Sequence, residues 1–323
     1  MKSTIRFTVL FAAVCGMLAA PGAFAQAFPS KPVRLIVPNP PGGGIDIMAR
    51  VYAPPLQAIL GQPVLVEYKP GAGSALGTEF VARSAPDGHT VGIVVTAHVI
   101  NPALRKLGFD TVGDLSGVAM TGVSHVGIAA SSSLEANTLR ELIALAKKNP
   151  GKLTYASPGS GSSMHLAGEL LKQMAGIDIL HVPFKGTAAA YPEVFAGRVD
   201  LIIDPLYAIQ NYAKAGRLKH IAIASPERAQ SAPEIPTVAE VLPGFAVTSV
   251  MGVVVPRATP RDTVNRLNAA FVRMLQLPEV KARLAEAGVE PVGNTPAEFD
   301  GWIKSEIEKW AKVVKVAGIK MED

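Results

Sequence analysis

The sequence predicts an α/β protein built as two lobes, each a mostly parallel sheet flanked by helices. Short segments rich in Val and Ile alternate with longer amphipathic segments along the chain, as strands and their covering helices do in parallel sheets. Removing the leader predicted at residues 1–25 leaves about 300 residues, and one hydrophobic core seldom supports that length. We therefore expect two lobes.

The N-terminus has the pattern of an export signal. Lys2 and Arg6 precede an apolar run over residues 7–20, and Ala23 and Ala25 fit the small-residue pattern of a cleavage site. We predict cleavage after Ala25 and an exported mature protein. The apolar run is shorter than the roughly 20 residues that a membrane span needs, and no later segment approaches that length, so no membrane insertion is expected.

Composition excludes several classes of function. The single cysteine, Cys15, lies in the leader, so the mature chain is expected to have no disulfide, no thiol nucleophile and no Cys-ligated metal. The formal net charge falls from +5 to +3 when Lys2 and Arg6 leave with the leader. The remaining basic residues do not cluster, so nucleic acid is not an expected partner.

The predicted strands are short, β-branched segments bounded by Gly, Pro or Asp. They cover residues 33–37, 63–67, 90–95, 117–120, 125–130, 153–156, 179–182, 199–203, 219–224 and 247–254.

The predicted helices alternate with these strands along the chain. Some have clear boundary residues: Thr138 and Glu141 form a capping box, and Gly288 follows a helical segment. The helices cover residues 45–60, 74–84, 138–148, 163–175, 187–196, 206–215, 260–275, 278–287, 296–301 and 302–317.

The two lobes are not expected to be consecutive halves of the chain. After the strand at 247–254 the chain is wholly helical, and such a tail must pack on a sheet that already exists. The simplest arrangement makes one lobe from residues 26–124 and 247–323 and inserts residues 125–246 as the other. Two strands then cross between the lobes as a hinge.

Five segments follow the exported N-terminus in order: FPSKPVRLIVPNPPGGGIDIMAR, VEYKPGAGSALGTEFVARSAPDGHT, Thr96–His98 with Asn101–Leu104, NPGKLTYASPGSGSSMHLAGELLK and HVPFKGTAAA. Together they resemble the Bug family, the periplasmic substrate-binding components of tripartite tricarboxylate transporters. The resemblance extends over essentially all of the mature chain.

The resemblance implies a Venus-flytrap fold of the periplasmic binding protein type (type II-like). Such a protein is a periplasmic, cofactor-free, non-catalytic monomer that closes over a small carboxylate and hands it to a membrane permease. Matching motif positions imply ligand contacts at Pro41, Gly42, Gly43, Asp46, Gly73, Ser74, Thr96, His98, Ser157, Gly159, Gly161, Ser162, Gly186, Thr187 and Asp204.

Three residues depart from the family pattern beside the expected cleft. Asn39 stands where the family usually has Phe, Ser74 where it usually has Gly, and Phe184 where Tyr is common. The identity of the ligand is therefore not transferred with the resemblance.

The residues themselves are compatible with anion binding. The glycines at 42–44 precede the helix at 45–60, and SPGSGSS precedes the helix at 163–175. Free amides at helix N-termini attract anions, and ligands of open α/β sheets bind where strands end. The alternative for each turn is an ordinary helix cap.

Two residues remain open between a ligand contact and a structural role. Lys185 either attracts the anion or points to solvent, leaving Gly186 and Thr187 to bind it. Asp204 either caps the helix at 206–215 or accepts a hydrogen bond from a ligand amine or hydroxyl. In the second case the ligand is an amino acid, a hydroxy acid or a nitrogen heterocycle.

Other functions have weaker support. The glycine pattern at 71–77 is compatible with dinucleotide binding, but the next strand ends at Thr96 without the acid that holds a ribose. His165 and Glu169 lie one helical turn apart but lack a third metal ligand. A secreted hydrolase-type enzyme using Ser162 or His98 lacks a placed nucleophile and base. A ligand-sensing adaptor of a receptor kinase is not distinguished from a transporter component.

Overall fold

The structure is a computed structural model that describes residues 28–41, 44–184 and 189–317. The leader predicted at 1–25 lies outside these residues. The strands are β1 (Val33–Val37), β2 (Val64–Tyr68), β3 (Thr90–Val95), β4 (Leu115–Ser131), β5 (Thr154–Ser157), β6 (Leu180–Pro183), β7 (Leu201–Pro205), β8 (Leu218–Ile223), β9 (Thr248–Pro256) and β10 (Val289–Pro291).

The helices cover the sheet or lie at its ends. They are α1 (Gly44–Leu60), α2 (Ala75–Ala82), α3 (Ala97–Leu104), α4 (Leu139–Lys148), α5 (Ser163–Ala175), α6 (Tyr191–Phe195), α7 (Leu206–Lys214), α8 (Arg261–Leu275), α9 (Pro278–Glu286) and α10 (Pro296–Ala317). Within the described ranges, no helix is both long enough and apolar enough to cross a membrane.

The strands form a mixed sheet in the order β2-β1-β3-β9-β4-β7-β5-β6, and β8 and β10 also pair with β4. The pairs of β1 with β2 and β3 are parallel, and so are those of β5 with β6 and β7. Around β4 and β9 the pairing is antiparallel. The predicted α/β class is confirmed, with parallel pairing at the two ends of the sheet and antiparallel pairing in the middle.

Alternate residues of the inner strands enter different apolar clusters. Leu35 and Ile93 pack in a cluster with Tyr52 of α1 and Phe271 of α8, whereas Ile36 belongs to the other large cluster. Successive side chains of a strand point to opposite faces, so both faces are covered. This burial explains why the strands are continuous apolar runs instead of alternating ones.

One strand, β4, replaces the two strands predicted at 117–120 and 125–130, and that prediction is wrong. The strand continues through Gly122, which pairs with Met251 of β9. The glycine also lets β10 approach closely, since a Cβ there would stand 2.5 Å from Val289 Cγ1. The pairing of β4 changes along its length. His125 still pairs with Thr248 of β9, whereas Val126 pairs with Pro205 of β7.

This change of partners coincides with the predicted boundary between the two segments of the chain. The first part of β4 pairs with β9 and β10, and its second part with β7 and β8. The assignment of 26–124 with 247–323 to one lobe and 125–246 to the other stays a prediction.

The C-terminal tail also differs from the prediction. Helices predicted at 296–301 and 302–317 are one helix, α10, because a single glycine such as Gly301 costs a helix only about 1 kcal/mol and does not end it. The helix packs on α3 and β4 and also reaches α5. Lys309 Nζ donates to the carbonyl of Ala246 at 3.1 Å. The tail therefore contacts both predicted segments of the chain.

Among the strands and α-helices named above, α3 and β10 were not predicted. Helix α3 has only eight residues, contains Pro102 and has no side-chain cap hydrogen bond, so it has few of the usual helix signals. Strand β10 has three residues and forms only through its pairing with β4. Both lie close to the candidate site.

Candidate functional site

A cavity of about 1430 Å³ opens where β3, β5 and β7 end and β9 begins. Seven residues of the predicted site line it: Gly73, Ser74, Thr96, Gly159, Gly161, Ser162 and Asp204. They come from distant parts of the chain. The ends of the strands therefore converge on one place, as expected for ligand sites of open α/β sheets.

The other predicted residues fall into two groups. Gly42, Gly43, Gly186 and Thr187 lie outside the described residues, and so does Lys185. Pro41, Asp46, His98 and Ser157 are described, but they are not part of the cavity lining.

Asp46 is held behind the cavity wall by its own neighbours. Its carboxylate accepts from Arg50 Nε at 2.8 Å and from the Tyr68 hydroxyl at 2.6 Å. The residue is only 4% exposed, in the first turn of α1. In this position Asp46 anchors the start of α1, where an acidic group is also favoured by the helix dipole.

His98 is buried in α3, and neither ring nitrogen has a hydrogen-bond partner within residues 28–41, 44–184 and 189–317. Burial lowers the pKa of His98 to about 4, because an imidazolium loses its hydration in an apolar environment. The ring is therefore neutral at physiological pH.

Ser157 is linked to the loop before α5 through two histidines. Its hydroxyl lies 2.7 Å from His181 Nε2, and the His181 ring stacks on His165 with centroids 3.9 Å apart. His165 Nδ1 in turn accepts from the Gly161 amide at 3.1 Å. Burial lowers the pKa of each histidine to about 4, which keeps the acceptor nitrogen of His165 unprotonated.

The carboxylate of Glu169, which the sequence places one turn from His165, also has partners. It accepts from the Tyr155 hydroxyl at 2.8 Å and from Lys172 Nζ at 3.0 Å. Across the described part of the chain, no group of three or more His, Cys, Asp or Glu residues is arranged to hold a metal ion.

The N-terminus of α5 forms one wall of the cavity. Ser162 is the N-cap: its Oγ accepts from the His165 amide at 3.1 Å and donates to the Gly159 carbonyl at 2.7 Å. The hydroxyl therefore caps α5, and its contact with a ligand stays a prediction. Ser163 and Met164 line the cavity, and their amides, at the first positions of the helix, have no preceding helical carbonyl to bind.

The opposite wall contains an unusual turn. Gly71, Ala72, Gly73 and Ser74 all have positive φ, from 48° to 134°, and the turn leads directly into α2. The Asn101 amide donates to the Gly73 carbonyl at 2.9 Å. This bond ties the turn to α3.

Two of the departures from the family pattern contact each other in this wall. The Ser74 hydroxyl donates to Asn39 Oδ1 at 3.0 Å, and both residues line the cavity. The hydrogen bond occupies the carbonyl of Asn39 and orients its amide nitrogen, which is a donor. A polar pair thus stands where the family pattern has Phe and Gly.

Asp204 lines the cavity at the end of β7 and is 2% exposed. Its carboxylate accepts from the Tyr191 hydroxyl at 2.6 Å, and burial together with Asp204 raises the pKa of Tyr191. The hydroxyl therefore stays a donor. Pro205, not Asp204, occupies the N-cap of α7, so the capping interpretation of Asp204 is wrong.

Arg105 is a cavity residue that the sequence did not predict. It directly follows α3, and its Nη2 would lie 3.3 Å from a Cβ placed on Gly73. The short helix that carries Asn101 would have indicated Arg105, but that helix was itself not predicted.

Thr96, which was predicted as a site residue, ties β3 to β9: its hydroxyl accepts from the Val250 amide at 2.8 Å.

The sequence matches the family model of the tripartite tricarboxylate transporter family receptor over residues 48–319. A relative, protein BugT of Bordetella pertussis, is 34% identical over 317 residues, which cover 97% of each chain. Receptors of this family are periplasmic binding proteins, not enzymes.

Two solved structures from Rhodopseudomonas palustris are similar over nearly their whole length. Rpa4515 with adipate is 32% identical with a TM-score of 0.78, covering 91% of this chain and 99% of its own. MatC with bound malate is 32% identical with a TM-score of 0.74, covering 89% and 100%. The protein therefore belongs to the tripartite tricarboxylate transporter receptor family, as a Bug-type periplasmic binding protein.

Proposed function

We propose that this protein captures a small organic acid in the cavity between its two lobes and delivers it to the membrane permease of a tripartite transporter. The observation that carries the proposal is the N-terminus of α5, whose residues Ser163 and Met164 line the cavity. Amides at this position bind carboxylates without a formal counter-charge.

The proposed ligand class agrees with the relatives. Adipate and malate, the acids in two similar structures, each carry two carboxylates. The described part of the cavity lining offers amides, hydroxyls and three arginines, of which Arg50 and Arg283 pair with acidic residues. Such donors suit an organic acid, and the volume of about 1430 Å³ exceeds what a molecule of that size needs.

The same geometry argues against a hydrolase. The Ser162 hydroxyl donates to the Gly159 carbonyl and accepts from the His165 amide, so its proton is directed to a backbone carbonyl and not to a base. His98 does not line the cavity. We therefore propose that the bound acid leaves unchanged.

Thermal melting tests the proposal. An acid at about 100 times its dissociation constant adds about 2.7 kcal/mol to the free energy of unfolding, so the melting temperature should rise. We expect a rise with at least one acid from a panel of adipate, malate, citrate, hexanoate and amino acids.

Chemical analysis of the recovered ligand completes the test. Mass spectrometry of the acid after incubation should return it intact, with buffer lacking protein as the control. A panel without any thermal shift, or conversion of the acid, would contradict the proposal.

A further inference from the structure

Among the described residues, three arginines line the cavity, and Arg105 is the one without an acidic partner. Arg50 pairs with Asp46, and Arg283 pairs with Glu286. Arg105 makes no ion pair with any described residue. Its Nε is buried and has no hydrogen-bond partner in the part of the chain that the structure describes. A buried donor left without an acceptor is costly, most of all when it is charged, so this position suits an anionic acceptor.

The surroundings hold the guanidinium at the cavity wall. Its Nη2 lies against Gly73, where any Cβ would approach to 3.3 Å. Asn101 fixes the Gly73 carbonyl at 2.9 Å, which sets the turn in place beside the arginine. The neighbouring Asn39–Ser74 pair adds further polar atoms to the same wall.

The N-terminus of α5 attracts a carboxylate from the other wall. Ser163 and Met164 stand in the second predicted segment of the chain, whereas Arg105 stands in the first, and all three line one cavity. An acid with a single carboxylate at α5 leaves Arg105 without an acceptor. An acid with two anionic groups supplies an acceptor to both walls.

We propose that Arg105 is a specificity-determining residue that holds a second carboxylate, so that the cavity selects dianionic over monoanionic acids of the same length. The inference rests on the proposed function, because it assumes that the cavity binds an organic acid. It goes further by assigning the preference for dianionic over monoanionic acids to one side chain.

The test uses matched straight-chain acids as probes: succinate with butyrate, adipate with hexanoate, and suberate with octanoate. Isothermal titration should show at least one diacid binding the wild type about 10-fold or more tighter than the monoacid of equal length. Arg105→Gln should weaken that diacid by about 10-fold or more and change the monoacid by less than about 2-fold. Arg105→Lys, which keeps the charge but not the fork of donors, should fall between them.

Arg140→Gln is the matched control, because Arg140 is exposed on α4 and does not line the cavity. It should leave the preference unchanged. Melting of the unliganded variants shows whether each is folded. Equal binding of diacid and monoacid by the wild type, or an unchanged preference in both Arg105 variants, would overturn the role of Arg105 alone. No binding of any acid by the wild type would overturn the proposed function together with this inference.

Discussion

Ser74 has a φ of 76°, a backbone conformation that costs a non-glycine residue about 1–2 kcal/mol. The residue lines the cavity, and its hydroxyl bonds to Asn39. Unfavourable backbone conformations persist where the surrounding structure enforces them, often at binding sites. Here the hydrogen bond and the backbone strain oppose each other.

Substitution of Ser74 separates the two effects. Thr keeps the hydroxyl but is β-branched, whereas Gly loses the hydroxyl and adopts positive φ freely. Because a hydrogen bond contributes about 0.5–1.5 kcal/mol and the strain costs at least as much, Ser74→Gly should be more stable than Ser74→Thr by about 1 kcal/mol. Urea unfolding measures the difference, and the reverse order would show that the hydroxyl dominates.

At the scale of elements, α5 brings together the parts of the site. Its N-cap Ser162 closes the turn from Gly159, and Gly161 bonds back to His165 in the first turn. His181 of β6 stacks beneath the ring of His165. The turn is thus held from both sides, so the amides of Ser163 and Met164 are oriented before any ligand binds.

Loss of the cap should weaken the fold at this element. Ser162→Ala removes both hydrogen bonds of the hydroxyl, and loss of an N-cap costs about 1 kcal/mol. The control is Ser160→Ala in the same loop, because Ser160 is exposed and its substitution should change stability by less than about 0.5 kcal/mol. Urea unfolding of both variants measures the two changes in stability. Equal losses of stability in both variants would contradict the capping role of Ser162.

At the scale of the whole molecule, β4 and β9 run through the region where strand partners change. His125 lies at that point, with Nδ1 2.7 Å from Ser225 Oγ and Nε2 2.9 Å from Glu290 Oε1. Helix α10 contacts both predicted segments of the chain.

A ligand that touches both walls of the cavity binds better when the two walls approach each other.

Closure should therefore accompany binding. Small-angle scattering with the acid that gives the largest thermal shift should show a smaller radius of gyration than the protein alone. An acid without a thermal shift serves as the control and should leave the radius unchanged. An unchanged radius at saturation would contradict closure and indicate a site confined to one wall.

The sequence by itself determined the α/β class, most elements, and the loops that reach the cavity. These features are local: strand runs and turn residues are encoded over a few neighbouring positions. The sequence predicted site positions for residues in these loops, among them Gly73, Ser162 and Asp204. Strands that end at one edge of a sheet bring the residues after them together.

Only the tertiary structure decided which side chains meet. Ser74 bonds to Asn39 across 35 positions, Tyr191 occupies an oxygen of Asp204, and Arg105 lies against Gly73. At Gly122, β4 likewise pairs with β9 and β10, which both lie far along the chain. Such contacts depend on packing between distant segments, and no local pattern of residues records them.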